Sequence, residues 1–282
     1  MWTFGEDWWR HERGVEGARR HVVFKWYAAF AEATRRPSNT ELRTETGLRF
    51  AMDPSGPIQA LLTFGYDLYC LQAKNRLPDA LIERLRRRKS FQSACYEIAV
   101  AAIMVRAGFD IEYLEGSPTK QCEFIARHRK TRYALGVEAK SRVRPGVLNQ
   151  GGSFEYKKDE KSLLRLVRKA TRQATGDKPL AVFLDVNVPP TPELAPNAKP
   201  WVRDMNAVAD SLDRRTRERG HDKYGLLVVT NFGFHFGSDT EHPPPKEYGL
   251  VLPGAPLRAL PRHIVNAIHE SVGRYGRIPE EV

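Results

Sequence analysis

The chain has 282 residues, of which 41% are apolar and 28% are charged, so its composition is that of an ordinary globular protein. That length predicts about two domains and a core that needs neither disulfides nor metals for stability. Lysine and arginine total 45 against 34 acidic residues, a formal charge of +11 that favours a polyanionic partner such as nucleic acid.

Several classes of protein do not fit this sequence. The three cysteines (Cys70, Cys95 and Cys122) form no C-x-x-C pair, so neither a disulfide framework nor a zinc site is expected. Residues 1–20 are charged and lack the apolar stretch of a signal peptide. No apolar run approaches the roughly 20 residues of a membrane span. We therefore expect a cytoplasmic protein that does not enter a membrane.

Residues 1–88 are predicted to form a helical N-terminal region. Apolar residues recur at helical spacing over 21–36 and 58–74, and a third helix is expected over 78–88. We expect this region to serve in substrate binding, in homo-oligomerisation or in docking a partner protein.

Residues 89–236 are predicted to form an α/β core, a mixed central sheet flanked by helices. Its helices are expected over 90–106, 162–175 and 201–219, and its strands over 109–113, 122–126, 133–139, 180–188 and 226–236. Residues 237–282 form a C-terminal extension that packs on this core and ends in a helix over 262–274.

Glu97 is the only charged side chain between residues 91 and 105, a segment that is apolar nearly all around a helix. Such a helix is expected to be buried, and a lone carboxylate there is unfavourable unless it is paired or held near a metal. Two interpretations stay open, a core glutamate paired with an arginine and a functional carboxylate.

Glu138 and Lys140 lie at the end of the apolar segment 133–139. Residues two apart on a strand share a face, so both side chains point the same way. The same acid-x-Lys spacing occurs twice within the segment 155–161. That segment is polar, which predicts that it is exposed to solvent. Only Glu138 and Lys140 combine the spacing with the end of an apolar strand.

Glu123 is an acid inside a short apolar strand, one hairpin before Glu138. Cross-strand neighbours in an antiparallel pair lie about 5 Å apart, which would bring these two carboxylates close together. The alternative is a glutamate on the exposed face of a half-buried strand.

In chain order, these residues place a glutamate on a buried helix, an acid on the second strand and Glu-x-Lys on the third. Glu97, Glu123 and Glu138-Ala139-Lys140 resemble the motif set of the PD-(D/E)xK nuclease superfamily, which has the restriction-endonuclease-like fold. The resemblance covers roughly residues 90–236. The chain departs from the superfamily at Glu123, where aspartate is usual, and at Gln121-Cys122, where proline precedes that aspartate.

The resemblance implies Mg²⁺- or Mn²⁺-dependent hydrolysis of phosphodiester bonds by a DNA endonuclease, leaving a 5′-phosphate and a 3′-hydroxyl. Glu123 and Glu138 would then bind the metal, and Glu97 would hold a second metal or a metal-bound water. Lys140 would orient or help deprotonate the attacking water. Mg²⁺ prefers one or two carboxylates with several waters, so the residue types suit that ion. A role in prokaryotic defence or DNA processing is typical of the superfamily.

Basic residues around the motifs are candidates for contacts with nucleic acid. We expect the loop 127–132 and one face of the helix over 162–175 to border the active cleft, with a glutamine that related nucleases often carry on this helix. The alternative is that these side chains are merely solvated. The candidates are Arg127, Arg129, Lys130, Arg132, Arg142, Arg144, Arg165, Arg168, Arg172 and Gln173.

A second interpretation of the whole chain is a catalytically inactive nucleic-acid-binding or assembly module that keeps the nuclease fold. The glutamate at position 123 favours it, whereas Glu97, Glu138 and Lys140 favour an enzyme. A third interpretation is a basic globular protein in which the motifs arise by chance.

Overall fold

The computed structural model of the protein describes residues 2–35, 40–44, 47–51, 55–73, 77–114, 122–148, 150–156, 160–173, 178–233 and 246–277. Its helices are α1 (Glu6–Gly14), α2 (Val22–Ala33), α3 (Gly56–Gln72), α4 (Asp79–Arg86), α5 (Phe91–Arg106), α6 (Glu160–Thr171), α7 (Pro200–Arg219) and α8 (Arg262–Arg274). Its strands are β1 (Thr40–Thr44), β2 (Gly47–Ala51), β3 (Phe109–Tyr113), β4 (Phe124–His128), β5 (Ala134–Ser141), β6 (Leu180–Asp185), β7 (Leu226–Asn231) and β8 (Glu247–Val251).

One mixed sheet contains β3 to β8 in chain order. The neighbours β5–β6 and β6–β7 are parallel, and the other three pairs are antiparallel. Parallel neighbours need crossover connections, which α6 and α7 provide. Each crossover helix runs back from the edge where β5, β6 and β7 end, the carboxyl edge, to the edge where they begin, the amino edge. At the amino edge, Gly225 N–H donates to Leu180 O over 2.8 Å.

Helices cover both faces of the sheet. Val137 and Phe183 pack on one face with α5 and α8, whereas Ile125 and Val182 pack on the other with α6 and α7. Every residue of β6 and β7 is buried, as expected for parallel strands covered on both sides. The alternation of side chains along each strand therefore decides which helix layer a residue meets.

The N-terminal helices share a hydrophobic core with α5. The rings of Trp26, Phe64 and Phe91 meet edge to face, with centroids 5.8–6.3 Å apart. The predicted helices of this region are present, and β1 and β2, which were not predicted, form an antiparallel pair between α2 and α3 in the chain. Each of these strands has five residues, too short a run for an alternating pattern to be recognised among helices.

The predicted α/β class and the mixed sheet flanked by helices are confirmed. The helix over 262–274 is also present and packs on the core through Ile264, Ile268 and Val272. Strand β4 begins two residues later than predicted and includes Arg127 and His128, which were expected in a loop. Strand β8 was not predicted. The narrower assignment to a restriction-endonuclease-like core stays a prediction. Within the described residues, no helix is both long and apolar enough to cross a membrane.

Candidate active site

Glu123 and Glu138 face each other across the β4–β5 pair. Glu123 directly precedes β4, whose first residue Phe124 is paired with Val137, and Glu123 N–H donates to Val137 O over 3.0 Å, next to Glu138 on β5. Because Val137 faces α5, Glu138 points to the other face, the one that α6 covers. Glu123 lies one residue before β4 rather than inside the strand as predicted, and its carboxylate still comes beside that of Glu138, since Lys140 contacts both.

Lys140 joins these two carboxylates. Its Nζ lies 3.2 Å from Glu123 Oε1 and also contacts Glu138 Oε1. The Glu138 side chain is fully buried, and its Oε2 has no hydrogen-bond donor among the described residues. A buried carboxylate oxygen without a donor is unfavourable, which makes it an available ligand for a cation. We call Glu123, Glu138 and Lys140 the acid–lysine site.

Glu97 lies near this site but belongs to α5, the helix on the opposite face of the sheet. Its side chain on α5 is 6% exposed, and its Oε2 accepts a hydrogen bond from Arg84 Nη1 over 2.7 Å. The carboxylate still interacts electrostatically with Glu123 and Lys140. Glu97 is therefore paired with an arginine, as one interpretation had it, and lies close enough to influence the acid–lysine site, as the other required.

Burial and charge shift the pKa values of this group. Burial raises the pKa of Glu138 to about 7, against the opposing effect of Lys140, and burial and Glu123 raise the pKa of Glu97 to about 7. Burial alone would lower the pKa of Lys140, but Glu138 and Glu123 outweigh it and raise that pKa. At neutral pH the ammonium group is charged, whereas the two glutamates are poised between their protonated and ionised forms.

Tyr113 also lies near this group, although it belongs to no motif in the sequence. Its ring meets Phe124 at a centroid distance of 5.6 Å, and its buried hydroxyl has no partner among the described residues. Burial, Glu97 and Glu123 raise its pKa, so the phenol is neutral and can donate a proton in a hydrogen bond. The alternating pattern of β3 predicted that Tyr113 faces the core. It did not indicate that carboxylates lie near the Tyr113 hydroxyl.

Most of the predicted nucleic-acid contacts lie away from the acid–lysine site. The turn of the β4–β5 hairpin, at residues 129–132, is at the other end of the hairpin from the Glu123–Glu138 pair. Arg127, four residues from Glu123, is about 13 Å along the strand. The expectation that this loop borders the active cleft was wrong, because the hairpin extends away from it. The residues concerned are Arg127, Arg129, Lys130 and Arg132.

The basic helix α6 also directs its charges elsewhere. Lys140 pairs with Leu184 near the carboxyl end of β6, whereas α6 runs towards the amino edge. Arg168 near the end of α6, and Arg172 and Gln173 just beyond it, therefore lie far from Lys140. The expectation that this basic face borders the cleft was therefore wrong for these residues. Arg165, in the middle of α6, is exposed.

Arg142 and Arg144 are the two predicted contacts that lie at the carboxyl edge, near Lys140. They follow β5 directly, and both guanidinium groups lie over the Phe154 ring, 5.2 Å from its centroid. Their stacking holds two positive charges next to the strand end that carries Lys140.

The residues of the acid–lysine site fit a divalent cation held by two carboxylates. Lys140 contacts both Glu123 and Glu138, and one Glu138 oxygen has no donor among the described residues. Nowhere in the described ranges do three or more Asp, Glu, His or Cys side chains gather closely enough to hold a metal ion. Glu97 is thus not placed as a third ligand. A Mg²⁺ site with one or two carboxylates and several waters does not need one.

No family model, no curated protein and no solved structure matches the chain.

Proposed function

We propose that the protein is a divalent-metal-dependent nuclease that hydrolyses phosphodiester bonds, acting on DNA as an endonuclease. The observation that carries the proposal is the acid–lysine site, a glutamate on β5 and a glutamate just before β4 with a lysine in contact with both. The order of these residues along the chain, with Glu97 on the preceding buried helix, supports the same assignment.

Each residue has a role that its surroundings support. Glu123 and Glu138 would hold Mg²⁺ or Mn²⁺, which supplies charge stabilisation for the phosphoryl oxygens and lowers the pKa of water. Lys140 would orient the attacking water and offset charge on the phosphate, since its ammonium group is kept protonated by its neighbours. Arg142 and Arg144 would contact the phosphate backbone beside the site.

Cleavage of plasmid and single-stranded DNA with Mg²⁺, Mn²⁺ or EDTA tests the proposal. Wild type should cut with either metal and not with EDTA. Lys140→Met, which keeps the aliphatic stem, should lose cleavage. Lys199→Met is the matched control, because Lys199 is a lysine of similar exposure (10% against 15%) whose Nζ lies 2.5 Å from Glu247 Oε1, outside the acid–lysine site. It should cut like wild type.

One observation favours the catalytically inactive binding module. The Lys140 ammonium group already contacts both carboxylates, and no third acid joins them within the described part of the chain. That function predicts DNA binding with EDTA present and no cutting with either metal. The cleavage experiment therefore separates the two functions in a single assay.

A further inference from the structure

A basic groove lies between the carboxyl ends of α6 and α7, at the amino edge of the sheet. It encloses about 270 Å³ and is bordered by Thr216 and Tyr224. We call it the amino-edge groove. The charged side chains that line it are Arg168, Arg172, Arg215, Arg219, Lys223 and Asp222.

The positive charges of this groove are not balanced by nearby acids. Five cations and one carboxylate line it, and within the described residues none of the four arginines forms an ion pair. The Asp222 carboxylate is engaged by the Thr216 hydroxyl, 2.5 Å from its Oδ1. Cations of one sign held within one small cavity repel one another, so a bound anion would stabilise them.

Arg168 shows the effect of this excess positive charge on a single side chain. Its Nε is buried and has no hydrogen-bond acceptor among the described residues. Desolvation and the charges of Arg215, Arg219 and Arg172 lower its pKa. The helix dipole favours a cation near the carboxyl terminus of each helix. It does not explain why α6 and α7 both place their arginines in the same cavity. An anion that accepts from Arg168 and its neighbours does explain it.

We propose that the amino-edge groove binds phosphate groups of a nucleic-acid strand, separately from the acid–lysine site. The groove has half-buried arginines, Arg168 and Arg215, and exposed ones, Arg172 and Arg219, so it is open to a chain that continues past it. Its charge, +4 after the one carboxylate is subtracted from the five cations, exceeds that of a single phosphate. The identity of the polyanion as nucleic acid rests on the proposed function.

The two sites together set a minimum length of substrate. Lys140 is paired with Leu184, and the amino edge begins at Leu180, four residues and about 13 Å away. Duplex DNA advances about 3.4 Å per base pair, so the substrate must extend at least about four base pairs from the reacting phosphate to reach the groove.

The test measures DNA binding by fluorescence anisotropy in EDTA over a range of salt concentrations, so that it does not depend on cleavage. Arg168→Gln/Arg172→Gln/Arg215→Gln is compared with Arg203→Gln/Arg214→Gln/Arg217→Gln, which removes the same charge from exposed positions of α7 outside the groove. The groove variant should bind a 20-base-pair duplex at least tenfold more weakly. Its salt slope should fall by about 2 to 3, since each phosphate contact contributes about 0.9. The control variant should change affinity less than threefold.

Equal losses in the two variants would overturn the proposal, because the groove would then act only through net charge. Inorganic phosphate supplies a second arm. If phosphate stabilises the wild type against heat but not the groove variant, while both bind duplex equally, the groove takes free phosphate and the nucleic-acid assignment is refuted. A groove-dependent duplex affinity without any cleavage by wild type would support the groove and refute the nuclease, so the two proposals fail separately.

Discussion

The ionised side chain of Glu138 should destabilise the folded protein at alkaline pH, and this effect tests whether Glu138 is a strained carboxylate rather than a structural partner of Lys140. Its pKa is raised from 4.5 to about 7 by burial, with Lys140 opposing the shift. A difference of about 2.5 units corresponds to about 3 kcal/mol at 1.36 kcal/mol per unit. Glu138→Gln keeps the shape of the neutral acid and removes this unfavourable ionisation.

The pH dependence follows from the direction of the shift. Between pH 4.5 and 7 the folded protein holds a proton on Glu138 that the unfolded chain has released, so the free energy of unfolding falls as pH rises. Above pH 7 the full destabilisation is present, and below pH 4.5 it is absent. Glu138→Gln should therefore raise the free energy of unfolding by about 3 kcal/mol at pH 8.5 and change it little at pH 4.5.

Urea denaturation of both proteins at pH 4.5 and pH 8.5 measures the difference. Glu12→Gln is the matched control, since Glu12 is also buried but accepts hydrogen bonds from His21 N–H (2.8 Å) and Arg88 Nη2 (3.2 Å). That variant should lose stability at pH 8.5. A loss of stability in Glu138→Gln at pH 8.5 would refute the reasoning, because Glu138 would then be a structural partner of Lys140. Saturating Mg²⁺ at ten times its Kd should stabilise wild type by about 1.4 kcal/mol at pH 8.5 and Glu138→Gln by less.

Three further predictions follow from contacts of named side chains. Lys140→Met leaves Glu138 buried beside Glu123 without a counter-charge, so cleavage should fall at least about 10²-fold and urea stability should fall by about 3 kcal/mol at pH 8.5. Arg84→Gln removes the charge and the hydrogen bond that lower the pKa of Glu97. The acidic limb of the pH–rate profile for cleavage should therefore move about one unit or more towards alkaline pH. An unchanged limb would show that the ionisation of Glu97 does not matter for cleavage. Tyr275→Phe deletes the hydroxyl that donates to the buried Asp67 Oδ2 over 2.8 Å, which should cost about 1–3 kcal/mol in urea denaturation with the rate of cleavage unaltered.

The fold was predictable where periodicity was long and unbroken. The apolar segment of α5 and the five-residue alternation of β3 identified their elements within one residue, because burial on a fixed face requires that spacing. The alternation of β5 also predicted that Glu138 and Lys140 share a face. The short strands β1, β2 and β8 were missed because pairing with a neighbour, rather than their own pattern, makes them strands.

The surroundings of the candidate site were less predictable than its members. Basic residues close to the motifs in sequence were expected to lie close in space, but the β4–β5 hairpin and the crossover direction of α6 place Arg129 and Arg172 at distant positions. Arg84 and Tyr113 reach the site from α4 and β3, and no spacing rule connects them to Glu138. Such contacts depend on packing between elements that are far apart in sequence.

The charges around Lys140 would allow the proposed metal site to fold before a cation binds. Three glutamates, Glu97, Glu123 and Glu138, interact with one another, and two cations, Lys140 and Arg84, contact them directly. With all groups ionised one negative charge remains, and the raised pKa values of Glu97 and Glu138 allow a proton to neutralise it near pH 7. A divalent cation would offset the same charge without requiring that proton. An arrangement that is least stable when fully ionised, and that a cation would stabilise, favours the proposed metal site over a purely structural cluster of ion pairs.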